Sequence, residues 1–128
     1  MADTEKITIN LGVVDLGKID LLVEQGFYTN RTDFIRTAIR SNLDKHDTVV
    51  QETITRKNYV VGILIYSASD LERHLEKGEA LDIHIIGMLI LSKDITPELA
   101  RQAINSIKVL GIFDAPEAVK QALSDKQL

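Results

Sequence analysis

The sequence predicts an α+β chain in two parts: a strand followed by two helices over residues 1–47, then a small α/β region over residues 58–128. Three observations carry this. Residues 6–11 (KITINL) alternate strictly, with Ile7, Ile9 and Leu11 on one face and Lys6, Thr8 and Asn10 on the other. Residues 14–25 and 30–46 repeat apolar side chains at helical spacing. Residues 58–66 (NYVVGILIY) and 81–91 (LDIHIIGMLIL) are rich in β-branched residues and apolar on both faces, the pattern of strands covered on two sides.

In chain order, a polar arm over residues 1–5 leads into the alternating strand. A strand with one oily face and no second strand nearby in sequence is unstable alone, so it must pair with a distant segment or with its own copy in another chain. Pairing with its own copy makes a two-stranded ribbon and an intertwined dimer. The first helix places Leu16, Ile19, Leu22 and Val23 on one stripe; Gly26 ends it and Phe27 folds back onto it. Asn30-Arg31-Thr32-Asp33 reads as a capping box opening the second helix, whose stripe is Phe34, Ile35, Ala38, Ile39 and Leu43. Residues 47–57 are polar and read as a linker or as a continuation of that helix. After the strand at 58–66, Ser69-Asp70-Leu71-Glu72 reads as a capping box for a helix to about Lys77, closed by Gly78. Residues 81–91 form the next strand. Thr96-Pro97-Glu98 opens a helix expected to reach Ile107, with a short strand over 109–113. Asp114-Ala115-Pro116-Glu117 caps a last helix to about Leu123. No internal repeat is read in the chain.

Composition narrows the function classes. With 45% hydrophobic residues the chain can bury a core. The absence of cysteine excludes disulfides, thiolate metal sites and cysteine nucleophiles, and fits a reducing cytoplasm. The first residues are polar, and the longest apolar run, residues 59–66, is too short to span a bilayer, so neither a secretory signal nor a membrane partner is expected. The net charge is −4; residues 1–46 hold seven acids and six Lys or Arg. Any nucleic-acid contact therefore depends on a local cluster in an oligomer, not on bulk charge.

Such a cluster is present in pattern. A ribbon made from two copies of residues 6–11 fits a DNA major groove, with Lys6, Thr8 and Asn10 as its reading face. Lysine donates to guanine acceptors, asparagine pairs with adenine through two bonds, and threonine does either or touches a thymine methyl. The alternative is the wet face of an ordinary surface strand. The start of the second helix offers unpaired amides, and Arg31 is a cation where the helix dipole disfavours one. A phosphate held by those amides and Arg31 would account for both.

These pieces, KITINLG, then a helix ending in QGFYTN, then NRTDFIRTAIR, resemble the ribbon-helix-helix family of bacterial regulators, the CopG-like group that includes Arc and MetJ. The resemblance covers about a third of the chain. It implies a sequence-specific transcriptional regulator, most simply a repressor, with Lys6, Thr8 and Asn10 contacting bases of double-stranded DNA. It places Asn30, Arg31 and Thr32 on phosphate. Length and element order also resemble the nickel-responsive members, but their site needs several histidines and a cysteine, and His84 here stands alone on its strand. A nickel sensor is not expected.

No catalytic set, metal site or cofactor is expected. Asp82 and His84 point the same way on a strand, a metal pair or a histidine held by a hydrogen bond. Asp70 and His74 are four apart on a helix, a metal pair or a solvated pair. Ser67 and Ser69 are capping residues, not nucleophiles, and Tyr59 and Tyr66 are core or interface aromatics. The doubly apolar strands predict an oligomerisation or regulatory domain over 58–128, giving a homodimer or a dimer of dimers; it leaves room for a small-molecule effector. Two rival readings stand beside the regulator. One is an antitoxin whose second half binds a toxin; the other is a ligand-sensing module in which the first part mainly dimerises.

Overall fold

The computed structural model describes residues 4–128, as two compact units that divide between Glu52 and Thr53. The first unit contains helices α1 (Val13–Glu24) and α2 (Arg31–Lys45) and the start of α3 (Asp47–Lys57). The second contains the rest of α3, then β1 (Val60–Tyr66), α4 (Ala68–Glu76), β2 (Leu81–Leu91), α5 (Pro97–Ala103), β3 (Ile104–Asp114) and α6 (Glu117–Ala122), ending in a 3-10 turn, Ser124–Lys126.

In the first unit α1 and α2 pack together. The α1 stop is a Schellman turn: Gly26, at φ 85°, donates its amide to the Val23 carbonyl, and the Phe27 amide reaches Leu22. The backbone folds back as expected, but the Phe27 side chain does not, being 70% exposed. Tyr28 instead packs edge-on against Phe34, centroids 4.9 Å apart. Residues 47–57, the linker-or-helix segment, are helical. Asn58, at φ 55°, ends that helix, and the Tyr59 amide reaches back to Ile54.

Residues 4–12 have no strand within the single chain. No strand pairs with this stretch among the described residues, and Ile7 is 72% and Ile9 58% exposed. Among the described residues of this unit, Ile19 is the one fully buried side chain, and Leu21, Ile39 and Leu43 are exposed. A unit of this size with so little burial offsets little of its chain entropy.

The second unit is a three-stranded parallel sheet in the order β1-β2-β3. α4 lies beside α5 and α5 beside α6. The core combines Leu71 of α4, Ala100 and Ala103 of α5 and Val119 of α6 with Ile83, Ile85, Leu89 and Leu91 of β2 and Ile107 of β3. Each fully buried aliphatic side chain contributes about 1.5–3 kcal/mol.

Three local expectations are corrected here. The α4 capping box is built on Ser67, not Ser69: its side chain accepts the Asp70 amide, and Asp70 accepts the Ser67 amide at 2.8 Å. α5 stops at Ala103 instead of reaching Ile107, because Ile104 and Ile107 are buried in a strand paired with β2. Residue 105 is accommodated by a register shift opposite Leu81/Asp82. At α6, Pro116 occupies the cap position and no side chain caps the helix, so Asp114 does not play that role.

The sheet also contains a repeat that the sequence reading lacked. Gly62, Gly87 and Gly111 lie side by side across the three strands. They have φ of 136°, 137° and 126°, a conformation suited to glycine. A Cβ on Gly87 would stand 2.0 Å from the Gly62 carbonyl oxygen, and one on Gly111 would stand 2.0 Å from that of Gly87. The second unit is thus three strand–helix repeats, each with a glycine at the matching register position of its strand.

Candidate nucleic-acid interface

The predicted reading residues Lys6, Thr8 and Asn10 lie in the extended stretch ahead of α1, and all three are exposed. Sequence alternation puts them on the side opposite Ile7, Ile9 and Leu11.

The predicted phosphate residues sit together at the start of α2. Asn30 is extended (φ −162°) and is the N-cap; its Oδ1 accepts the Asp33 amide at 2.8 Å. The carboxylate of Asp33 reaches the Thr29 amide at 2.9 Å, one residue earlier than a standard capping box requires. Helix geometry leaves the amides of Arg31 and Thr32 without intrahelical acceptors, and both residues are exposed.

Arg31 is not the lone cation that the sequence suggests. Its Nε and Nη2 donate to the two carboxylate oxygens of Asp20 on α1, each at 2.8 Å. This fork-on-fork pair is half-exposed. The hydrogen bond from Arg31 holds the Asp20 carboxyl below the usual carboxylate range, and the same bond raises the Arg31 pKa. The pair explains how a cation is tolerated at a helix N-terminus. It uses two of the five guanidinium donors, so three remain for another acceptor. Nothing in the sequence links residues 20 and 31; helix α1 has to pack on α2 before they meet.

The polar pairs of the second unit resolve into structural roles. Asp82 accepts from Ser106 Oγ at 2.6 Å and Asn105 Nδ2 at 2.9 Å, which lowers its pKa, Ser106 first. His84 Nδ1 faces the Lys57 carbonyl at 3.3 Å and its ring lies against Tyr59. Asp70 serves the α4 cap and pairs with Arg73, while His74 faces Glu79 at 3.3 Å, not Asp70. Among the described residues no group of three or more metal-ligating side chains comes together, and no helix is long and apolar enough to cross a membrane.

A two-helix unit with a capped, amide-bearing helix start and an exposed, alternating, unpaired arm has the parts of a ribbon-type DNA-binding regulator. The model of the ribbon-helix-helix transcriptional regulator family matches residues 2–120, and the chain belongs to that family. Its regulators bind DNA and dimerise. The match extends through the sheet unit, so the second unit is part of the family's architecture. No curated protein and no solved structure matches the chain.

Proposed function

We propose that this protein is a transcriptional repressor that reads operator DNA through a ribbon formed by residues 6–11 of two chains. Lys6, Thr8 and Asn10 of each strand contact base edges in the major groove. Asn30, Arg31 and Thr32 contact flanking phosphates through the α2 amides and the three remaining guanidinium donors, fixing the register. The observation that carries this reading is the bare alternating arm. Its backbone edge and its apolar face are both open in the single chain; a partner strand of the same pattern closes the edge, brings the two apolar faces to one side where helices can cover them, and leaves the polar face outward.

Residues 58–128 act as the oligomerisation domain that joins two such dimers, so that two ribbons engage two half-sites at high effective concentration. This folded, well-filled domain favours that role over an antitoxin tail, which is disordered before binding.

Gel shifts at several salt concentrations test the DNA contacts. Lys6→Ala or Asn10→Ala should reduce discrimination between operator and random DNA by about 1–3 kcal/mol per contacted base. Arg31→Ala should weaken binding to all sequences and reduce the salt slope by about one. Unchanged specificity in the first pair together with an unchanged slope in the third would refute the assignment.

A further inference from the structure

The helices leave one face of the sheet uncovered. The core contains Leu64 and Tyr66 of β1, Ile83, Ile85, Leu89 and Leu91 of β2, and Ile107, Val109 and Phe113 of β3. Those positions alternate with a second set that takes no part in it. Two rows flank the glycines: Val61, Ile86 and Leu110 on one side, and Ile63, Met88 and Ile112 on the other. The edge strand is the most open, with Val61 61% and Ile65 58% exposed, and Leu110 is also exposed. These rows contain no charge. Parallel sheets of this kind are covered on both faces, because their strands are apolar on both sides. A contiguous aliphatic surface on a folded unit marks a contact site.

We propose that this face is occupied by the same face of a second copy of the chain, sheet against sheet. The inference rests on the oligomerisation reading of residues 58–128 and names the surface that performs it. Three points select the occupant. The two rows are uniformly aliphatic, so the centre of the face is complementary to itself, and the charges on the same side, Lys108 and Asp114, lie beyond those rows. The family dimerises, so a second copy is always present. The third point is area. Three strands about 4.8 Å apart and about seven residues long present roughly 300–400 Å² per copy. A single pairing then buries about 600–800 Å², below the roughly 1,200 Å² of a stable interface. Two ribbon dimers that join through two sheet pairings at once double the area to about that threshold and gain the effective concentration of a closed ring. A separate partner gripping one face has neither advantage.

Sedimentation equilibrium on the full chain separates the two interfaces. Ile63→Asp charges the open face without entering the core, and Ile9→Asp charges the ribbon. The expected masses are four chains for the unaltered protein, two for Ile63→Asp, a concentration-dependent mixture of one and two for Ile9→Asp, whose single sheet pairing lies below the stable range, and one for the double variant, with circular dichroism of the sheet unit retained. Since the chain has no cysteine, Met88→Cys supplies a unique spin-label site at the middle of the face. Stacked sheets about 10 Å apart should bring two labels within about 20 Å, a separation that Ile63→Asp abolishes. An assembly unchanged by Ile63→Asp, or an Ile9→Asp variant that shows no concentration-dependent pairing, overturns the proposal and points to a different molecule on this face. An Ile63→Asp variant that falls directly to monomer leaves the sheet pairing standing and refutes the ribbon dimer instead.

Discussion

The glycine row across the sheet allows two chemically identical substitutions to be compared. In Gly62→Ala and Gly87→Ala the new methyl sits at nearly the same backbone angle, φ 136° and 137°. Both incur the strain of an L-residue there, about 1–3 kcal/mol, and both gain the same small benefit from a stiffer unfolded chain. Their surroundings differ. At Gly62 the methyl meets nothing within 4 Å; at Gly87 it stands 2.0 Å from the Gly62 carbonyl oxygen and 3.0 Å from its carbon. That oxygen is backbone and cannot rotate away, so β1 and β2 must separate locally. The separation sacrifices ladder hydrogen bonds worth about 0.5–1.5 kcal/mol each, besides the packing above and below. We expect Gly62→Ala to cost about 1–3 kcal/mol and Gly87→Ala about 2 kcal/mol more than that. Urea unfolding followed by circular dichroism, with matched slopes, provides the comparison. If the two variants unfold within about 1 kcal/mol of each other, the close approach of the strands at Gly87 is wrong. Gly111→Ala should behave like Gly87→Ala, since its methyl meets the Gly87 oxygen at the same distance.

Other consequences are directly measurable. Asn30→Ala should cost about 1 kcal/mol by removing the α2 cap, read as a lower thermal midpoint, whereas Asn30→Asp should retain most of it. Asp20 has a depressed pKa in the folded chain, so its ion pair stabilises fully above its ordinary value of 3.8 and is lost as pH falls through the lower folded value. A carboxyl-detected NMR titration should show Asp20 returning to the ordinary range in Arg31→Gln. Asp82 follows the same sign, held down by Ser106 and Asn105. Ser106→Ala should raise its titration midpoint and move acid unfolding to higher pH; an unmoved midpoint would show that the bond is not formed in solution. Thr96→Ala should destabilise the second unit by about 1 kcal/mol, because its hydroxyl accepts the Leu99 amide at 3.2 Å.

Much of the architecture was legible from local pattern. Helices α1 and α2 follow from apolar spacing together with Gly26 and Asn30, and β2 from an eleven-residue stretch that is mostly apolar on both faces. Where competing local signals were close, tertiary pairing decided. Ser67 and Ser69 both suit a cap, and Ser67 is the cap because α4 begins at Ala68, directly after β1 ends at Tyr66. Residues 104–107 continue a helical pattern equally well, but Ile104 and Ile107 bury more apolar surface as part of β3. The threefold repeat was visible and unread: VVGI, IIGM and VLGI recur at 25- and 24-residue intervals.

The order of amino acids alone determined the alternation of residues 6–11, the capped start of α2, and the strand–helix rhythm of the second half, because these depend on contacts within a few residues along the chain. It also determined the family, since that order is what the family pattern records. The Asp20–Arg31 pair, the aligned glycines and the uncovered aliphatic face were decided by the folded chain. Each depends on which segments become neighbours, and that is set by the total apolar surface removed from water across the whole unit, not by any local preference.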